Sequence, residues 1–374
     1  MKKIIVLGAG MVGRAMAIDL SSNYIVTSVD LNKDNLDMLK RKKIKTICAD
    51  LSSAEVIANL VKDNDFVVGA VPGFMGFETL RNVIKSGKDV VDISFFPEDA
   101  FELDRLAKKH KVTAVVDCGV APGMSNLILG YHNKRMKVEN FEFIVGGLPL
   151  IRVYPFQYKA PFSPVDVIEE YTRPARFMEN GKIVVKPALS EPENYNFTEV
   201  GTLVGFNTDG LRTLLKTMKI PNMKEKTLRY PGYLELIKLI KDCGFFDTNE
   251  IEINGTKIRP IDFSSKILFP QWKLGEFEEE FTAMRILIEG TEKGKEKTYV
   301  YSLFDIYDSE TETSSMARTT GYSATAVVNL ILTDKFRRNG VNPPEYIGES
   351  EVCFNFIMNY LKKRKIYFEK NEII

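Results

Sequence analysis

Histidine is almost missing from this chain. His110, in AKKHK, and His132, after GY, are the only two among 374 residues. That leaves little basis for a Ser–His–Asp triad or a histidine-rich metal site, so no metal is expected and acid–base chemistry falls to carboxylates and lysines. Cysteine is scarce as well. Cys48, Cys118, Cys243 and Cys353 include no CxxC spacing, so neither a zinc knuckle nor a disulfide framework is indicated, and a reduced, cytoplasmic setting fits. Charge of one sign is also lacking. The net charge of +1 provides no field to gather nucleic acid or an acidic membrane. The basic tract KKRK at 362–365 runs directly into Ile366, Tyr367 and Phe368 and reads as the solvated face of a terminal element. Finally, long apolar runs are absent. Ile4–Leu7, behind Lys2 and Lys3, breaks at Gly8, too soon for a signal peptide, and nothing later approaches a membrane span.

What is present is an alternation of short apolar strands and helical patterns over the first 125 residues. The opening strand, Lys3 to Leu7, runs into Gly8-x-Gly10-x-x-Gly13 and then a helix. Between a strand and a helix, Gly8 permits the tight turn, Gly10 lets the backbone approach a pyrophosphate, and Gly13 lets helix pack on strand. Met11 and Val12 open the helix, whose free N–H groups and partial positive charge suit the phosphates. The second strand, Tyr24 to Val29, ends at Asp30, where a carboxylate accepts from both ribose hydroxyls and repels a 2′-phosphate. That favours NAD over NADP, although Lys33 offsets part of the repulsion. A third strand, Lys45 to Cys48, leads to Asp50 and Leu51 at the adenine end, followed by a capping box Ser52-x-x-Glu55. The fourth, Asp65 to Ala70, leads into VPGFMG, where Val71 and Pro72 leave room for a nicotinamide ribose. The fifth and sixth strands stop at carboxylates, Asp92 in KDVVDISFF and Asp117 in VVDCGVAPGMSN. In a doubly wound sheet ligands sit beyond the carboxyl ends of the strands. Asp92 and Asp117 are therefore candidates to face the substrate, with turn formation as the alternative. Gly119 to Ser125 suggests a second backbone cradle near the cofactor, with Pro122 in the first turn of a helix.

After Lys137 the pattern changes. FEFIVGGLP is a strand without a crossover helix, and a long irregular segment rich in Pro and Tyr follows to about Pro192. Then come helical stretches at TDGLRTLLKTM and GYLELIKLIKDCG, and a hairpin of Thr282–Glu289 with Thr298–Tyr307 around GTEKGKEK. That turn mimics a phosphate loop through Gly290, Gly294 and Lys295, but its spacing is wrong and no helix follows. A long apolar-striped helix, MARTTGYSATAVVNLILTDKF, is expected to pack back on the first domain, with Thr319 and Thr320 in its first turn and its N-terminus either turned toward the cleft or simply capped. The expected architecture is α/β: a Rossmann-type doubly wound parallel sheet from 1–135 and 313–374, and an inserted mixed α/β substrate domain at 136–312.

Several stretches together resemble the saccharopine dehydrogenase-like family: DCGVAPGMSN, GGLP, YKAPFSPVDVIEEYTRPA, TDGLRTLL, KTLRYPG and MARTTGYSA. The likeness runs from about residue 3 to 333 and is nearest to the lysine 6-dehydrogenase branch. It implies NAD-dependent oxidation at an amine-bearing carbon of an amino acid, here the ε-amine of L-lysine, giving 2-aminoadipate 6-semialdehyde and ammonia. It also implies a homo-oligomer, taken as a dimer, while the charge balance and the short apolar runs give no reason to expect a nucleic-acid or membrane partner. Two alternatives remain: a reductase of the saccharopine or carboxynorspermidine type, joining a semialdehyde to an amino compound, and a non-catalytic NAD sensor. Hydride leaves only from a neutral amine, and deprotonating a lysine amine of pKa ~10.4 at pH 7 costs roughly 4–5 kcal/mol. The site must offset this by desolvation or a base, or the enzyme must work best in alkali; as the base, Asp117 is the first candidate, with Lys159 in QYKAPFSP, a lysine of the family pattern, second. A substrate carboxylate calls for a bidentate arginine. Arg229 in LRYPG is preferred, Arg173 in EYTRPA competes, and Arg212 falls inside the TDGLRTLL helix. Ser94, Thr208, Asp209 and Tyr230 complete the expected substrate contacts, Thr208 and Asp209 being equally suited to capping that helix.

Overall fold

The computed structural model describes residues 1–373. β1 (Lys3–Leu7), β2 (Ile25–Asp30), β3 (Lys45–Cys48), β4 (Phe66–Gly69), β5 (Val90–Asp92) and β6 (Thr113–Val115) form the first sheet, joined at its β6 edge by a strand from far down the chain, Gly340–Asn342. The order runs β6–β5–β4–β1–β2–β3, and every pairing is parallel. Helices cover both faces, which is why β1 and β4 are apolar at nearly every position instead of alternating. The strand order reverses between β1 and β4, opening the crevice in which such sheets bind nucleotides.

The second sheet is nine-stranded and mixed. Its strands are β7 (Lys137–Pro149), β8 (Ala175–Glu179), β9 (Lys182–Lys186), β10 (Glu193–Phe197), β11 (Gly201–Asn207), β12 (Asn222–Arg229), and, beyond a separate hairpin of β13 (Ile251–Ile253) and β14 (Thr256–Ile258), β15 (Glu280–Glu292) and β16 (Lys295–Ile306). The last strand of the chain, Glu369–Ile373, pairs with β16. β12 and β7 run parallel in the centre, with Glu225 beside Phe143 and Thr227 beside Val145.

Several local expectations change. The segment before Pro192 is not irregular: it holds the helix Pro164–Thr172 and the β8–β9 hairpin. β15 and β16 are longer than expected, because Lys293 and Gly294, at φ 51° and 79°, close a two-residue turn of the kind that matches strand twist. Ser53, not Ser52, caps the helix Ala54–Val61, since the amide of Ser52 is already held by Asp50. TDGLRTLLKTM is helical only over Leu214–Thr217. Pro122 stays outside the following helix, which starts at Met124 behind Gly123. Residues after 333, beyond the stretch of family resemblance, are woven into both sheets.

The two sheets share a core. Apolar side chains of β1 (Ile4, Val6), of the helix Met124–Asn133, of the helix Ser315–Leu332 and of β7 and β15 (Phe141, Met284) form one continuous cluster. The Ser315–Leu332 helix is buried on almost every face; its Thr319 and Ser323 hydroxyls donate back to its own carbonyls and Arg318 is paired with Asp305 and Asp308, so these side chains have partners inside the core. It lies against Met11–Ser21, with Gly321 facing Met16. Its N-terminus is not open to the cleft: Glu280 and the Ser314 hydroxyl accept from the amides of Met316 and Ala317, and the Thr319 hydroxyl donates back to Ser315 O. The segment at 313–374 therefore contributes a central helix and an edge strand to the first domain, while its last strand belongs to the second sheet.

The helices Met124–Asn133 and Pro344–Gly348 touch through reciprocal glycines. A Cβ on Gly130 would collide with Glu345 O, and one on Gly348 with Leu127 O. Gly130→Ala must push two backbones apart, so a loss of about 1–3 kcal/mol is expected. Chemical denaturation measures it, and an unchanged midpoint would contradict this packing.

Candidate active site

The glycine turn is shaped for a dinucleotide. Gly8, at φ 107°, lies where a side chain would strike Ala70 O, and a Cβ on Gly13 would strike Gly8 O. Gly10 faces open space, with nothing within 4 Å of an added Cβ. No side chain caps the helix that begins at Met11, so its first amides are free for an anion. Asp30 accepts from the amides of Ala9 at 2.6 Å and Asn32 at 2.8 Å, which fixes its carboxylate against the turn. Asp50 turns its carboxylate onto Ser52 N, Leu51 and Val71 are buried, and Pro72 precedes the helix Gly73–Lys85. These residues fit a dinucleotide, whose pyrophosphate Gly10, Met11 and Val12 would hold and whose adenosine ribose Asp30 would meet.

Beyond β5 and β6 the structure departs from expectation in a useful way. Asp117 is not a free carboxylate. Both its oxygens accept from Arg212 Nε, at 2.8 and 2.9 Å, and both side chains are buried. Arg212 lies in the loop after β11, outside any helix, at φ 45°, and Asp117 is at φ 53°. Two left-handed non-glycine residues facing each other are a costly arrangement of the kind found at functional sites. The guanidinium also donates to Phe96 O at 2.8 Å and lies over the Phe95 ring at 4.6 Å. Asp92, 1% exposed, accepts from Ser94 N at 2.8 Å, and its carboxyl is pushed up to about 7, chiefly by burial. Burial, then the nearby Asp117 and Asp92 charges, also pushes the Cys118 thiol up, so it stays protonated. Gly119 N is taken by Pro122 O at 3.0 Å, so that loop closes on itself and offers fewer amides to a cofactor than expected.

A cavity of about 40 Å³ lies between the domains. Phe95, Ala121 and Pro122 form its nucleotide-domain wall. Opposite stand Phe143, Val145, Thr208, Asp209, Glu225 and Thr227, with Glu169, Glu170 and Arg173 from the helix Pro164–Thr172 and its end. Asp166 of that helix accepts from Gly73 N at 3.3 Å and ties it across the cleft. Arg173 is bound to Glu169 at 3.0 Å and lies 5.3 Å from the Phe95 ring centre. Glu225, 3% exposed, was not singled out from sequence. Its oxygens accept from Thr208 Oγ1 at 2.7 and 2.8 Å and from Gly210 N at 3.1 Å. MKEKTLR reads as a polar strand, and nothing local signals that its central glutamate faces a cavity.

Other expected residues are committed elsewhere. Arg229 is 2% exposed, held by Glu170 at 3.1 Å and caged by Tyr158, Tyr171 and Tyr233. Nε and Nη2 donate to Tyr171, Tyr158 and Glu170 and Nη1 to Leu228 O, so the buried guanidinium has no bidentate face free for a substrate carboxylate. The Tyr230 hydroxyl donates to Pro149 O at 2.9 Å. Asp209 is held by Arg176, with Nη2 to Oδ2 at 2.7 Å. Lys159 is half-buried and lies outside the cavity wall. Among the described residues no cluster of metal-ligating side chains occurs, and no helix is long and apolar enough to cross a membrane.

Comparison with known proteins agrees with this architecture. Residues 4–115 match the saccharopine dehydrogenase NADP binding domain, and residues 119–366 match the saccharopine dehydrogenase C-terminal domain. The chain belongs to the saccharopine dehydrogenase family. It is 26% identical over 264 residues to the saccharopine dehydrogenase [NADP(+), L-glutamate-forming] of Schizosaccharomyces pombe, covering 66% of this chain and 59% of that protein. The Saccharomyces cerevisiae enzyme of the same name is 27% identical over 268 residues, covering 67% and 60%. The match thus spans about three-fifths of the length of these relatives. A carboxyaminopropylagmatine dehydrogenase from Synechocystis is 22% identical over 371 residues, 91% of this chain and 92% of that one. Apo saccharopine dehydrogenase (L-Glu forming) from Saccharomyces cerevisiae has the same fold, with a TM-score of 0.79 at 21% identity and full coverage of both chains.

Two consequences can be measured. Asp117→Asn leaves the Arg212 guanidinium buried and unpaired, so a loss of about 3–5 kcal/mol is expected in urea denaturation; a change within error would show that the pair is dispensable. Asp92 has its carboxyl raised from 3.8 to about 7, so its stabilising contribution is full below pH 3.8 and is lost as the pH climbs through 7. Asp92→Asn should therefore flatten the stability–pH curve between about 4 and 7, and an unaltered slope would remove Asp92 as its source.

Proposed function

We propose that this chain is an NAD-dependent oxidoreductase that oxidises an amine-bearing carbon of a basic amino acid, with the ε-amine of L-lysine as first choice and 2-aminoadipate 6-semialdehyde and ammonia as products. The observation that carries the reading is the cavity beyond β5 and β6. Its wall holds one arginine, Arg173, and four carboxylates, of which Glu169, Glu170 and Asp209 are paired with Arg173, Arg229 and Arg176, while Glu225 has no cationic partner among the described residues. An exchangeable arginine and an unpaired carboxylate suit a substrate that carries both a carboxylate and an amine. Bound with its pyrophosphate at the glycine turn, the dinucleotide would supply its nicotinamide as the hydride acceptor. The protein's part is to seat the amine carbon against that wall and take a proton from the ammonium; hydride loss leaves an imine, which water then hydrolyses to the semialdehyde and ammonia.

Arg173 is the residue to receive the substrate carboxylate. It is the arginine on the cavity wall, and its partner Glu169 is half exposed, so the exchange costs little. Arg212 and Asp117 serve instead to hold Phe95 and Phe96 in place behind it. NAD is preferred over NADP for two reasons. Asp30, fixed at the end of β2, would meet the ribose, and Arg14, the cation of the helix after the glycine turn, is neutralised by Glu276 of the second domain at 2.9 Å, which leaves Lys33 to offset part of the repulsion.

A second reading is favoured by one finding. The full-length likeness to a carboxyaminopropylagmatine dehydrogenase suits a substrate whose amine is secondary and whose tail carries another cation. The protein would then act as a condensing reductase, and the same carboxylate-rich wall would serve it.

The decisive assay is formation of reduced cofactor by purified protein with NAD or NADP, against L-lysine and an amino-acid panel at pH 7 and 10. Turnover with lysine and NAD, faster in alkali, is expected. Activity only in the reverse direction, with a semialdehyde and an amino compound, would shift the assignment to the second reading. Arg173→Ala should raise KM for lysine about 10- to 100-fold, the weight of one charge-assisted contact, with NAD affinity unchanged. Asp30→Ser should narrow the NAD/NADP preference, and an unchanged ratio would sink that role.

A further inference from the structure

The proton that must leave the substrate ammonium has no obvious destination among the residues first suspected, since Asp117 is held by Arg212 and Lys159 lies outside the cavity wall. The charges around the cavity narrow the choice. Glu169 is paired with Arg173, Glu170 with Arg229, and Asp209 with Arg176. Glu225 alone of the wall carboxylates has no cation within 4.0 Å among the described residues. The lysines beside it in the strand are engaged elsewhere, Lys224 with Glu142 and Lys226 with Glu193. What Glu225 has is hydroxyl and amide donors from Thr208 and Gly210, with Thr227 Oγ1 a further 2.8 Å from the Thr208 hydroxyl.

We propose that Glu225 is the proton acceptor for the substrate amine. The idea rests on the amine-oxidation reading above and adds a residue to it. In the step, one N–H bond of the R–CH2–NH3+ group breaks and its electron pair stays on nitrogen. The proton bonds to a Glu225 carboxylate oxygen, so a cation and an anion become a neutral amine and a neutral acid. The burial of Glu225 favours that neutral pair over the charged one. The freed lone pair is what hydride departure from the adjacent carbon requires. Geometry supplies the reach: the cavity is only about 40 Å³, so a group lodged in it touches both Glu225 and the Ala121–Pro122 wall beside the nicotinamide end of the first sheet. Burial, with Glu170 and Asp209 adding to it, pushes the Glu225 carboxyl up to about 8, while Thr208 and Gly210 hold it down. A proton acceptor working near neutral pH is best placed in that range.

The test compares wild type with Glu225→Gln, which keeps the shape of the protonated acid, and Thr208→Val, which keeps the carboxylate but removes a donor. Turnover of L-lysine with NAD is followed from pH 6 to 11, alongside melting temperature. Glu225→Gln should lower kcat by about 100-fold or more near pH 7 and recover as the free amine appears near its own pKa of ~10.4. Thr208→Val should move the rising limb of the wild-type profile to higher pH, because the charged carboxylate loses a donor. Without activity as readout, the raised carboxyl destabilises the fold as pH rises from 4.5 through about 8. Glu225→Gln should therefore gain in melting temperature on wild type more at pH 9 than at pH 5. A kcat deficit equal at every pH, or a profile like wild type, would overturn the role of Glu225 and leave amine oxidation standing. Wild type that turns over no amine in either direction would overturn the functional reading and this proposal with it.

Discussion

The buried Asp117–Arg212 pair is the constraint on which the cleft depends. It joins the end of β6, in the nucleotide sheet, to the loop after β11, in the second domain, with both oxygens of the carboxylate on one guanidinium nitrogen. Removed from water, each charge is tolerable only because of the other. The same guanidinium holds Phe96 O and lies over Phe95, so the wall of the cavity is set by a residue from the opposite domain. Two residues at left-handed φ make the cost of this arrangement visible in the backbone.

A second buried network backs it. Glu345, whose carboxyl is pushed up by burial, accepts from Asn126 at 3.1 Å and from the Thr217 hydroxyl at 2.6 Å, and Asn126 reaches Thr213 at 3.3 Å. Thr213 follows Arg212 directly, and Asn126 stands at the start of the helix after the Asp117 loop. The C-terminal part of the chain thus braces both ends of the central pair from behind. With the shared apolar core between the sheets, this makes the interface more like a domain interior than a hinge. The narrow cavity is the feature such a rigid frame can hold in register.

The first domain was legible because its signals are local. Glycines at fixed spacing, an aspartate at the end of β2 and apolar strands at regular intervals each have a mechanism that works over a short span of chain. The positions of Asp92 and Asp117 at strand ends were readable for the same reason. Their partners were not. TDGLRTLL carries a helical pattern, yet Arg212 adopts left-handed φ to meet a carboxylate 95 positions earlier in the chain. Arg229 reads as a free cation because Tyr171, Tyr158 and Glu170, which enclose it together with the nearby Tyr233, lie 58, 71 and 59 positions earlier in the chain. Glu225 sits in a strand where Lys, Glu and Thr alternate, and burial of charged side chains in such a strand leaves no trace in periodicity. Long-range charge pairing, more than secondary structure, is what the sequence conceals here.

The central claim is that an amine carbon is oxidised in the cavity between Pro122 and Glu225, next to the nicotinamide end of the sheet. The most direct measurement uses L-lysine deuterated at carbon 6, with NAD, and nuclear magnetic resonance of the reduced cofactor. The account predicts deuterium at C4 of the nicotinamide, on one face only, and none when the label is at carbon 2. Label arriving from carbon 2, or reduced cofactor free of deuterium, would contradict it.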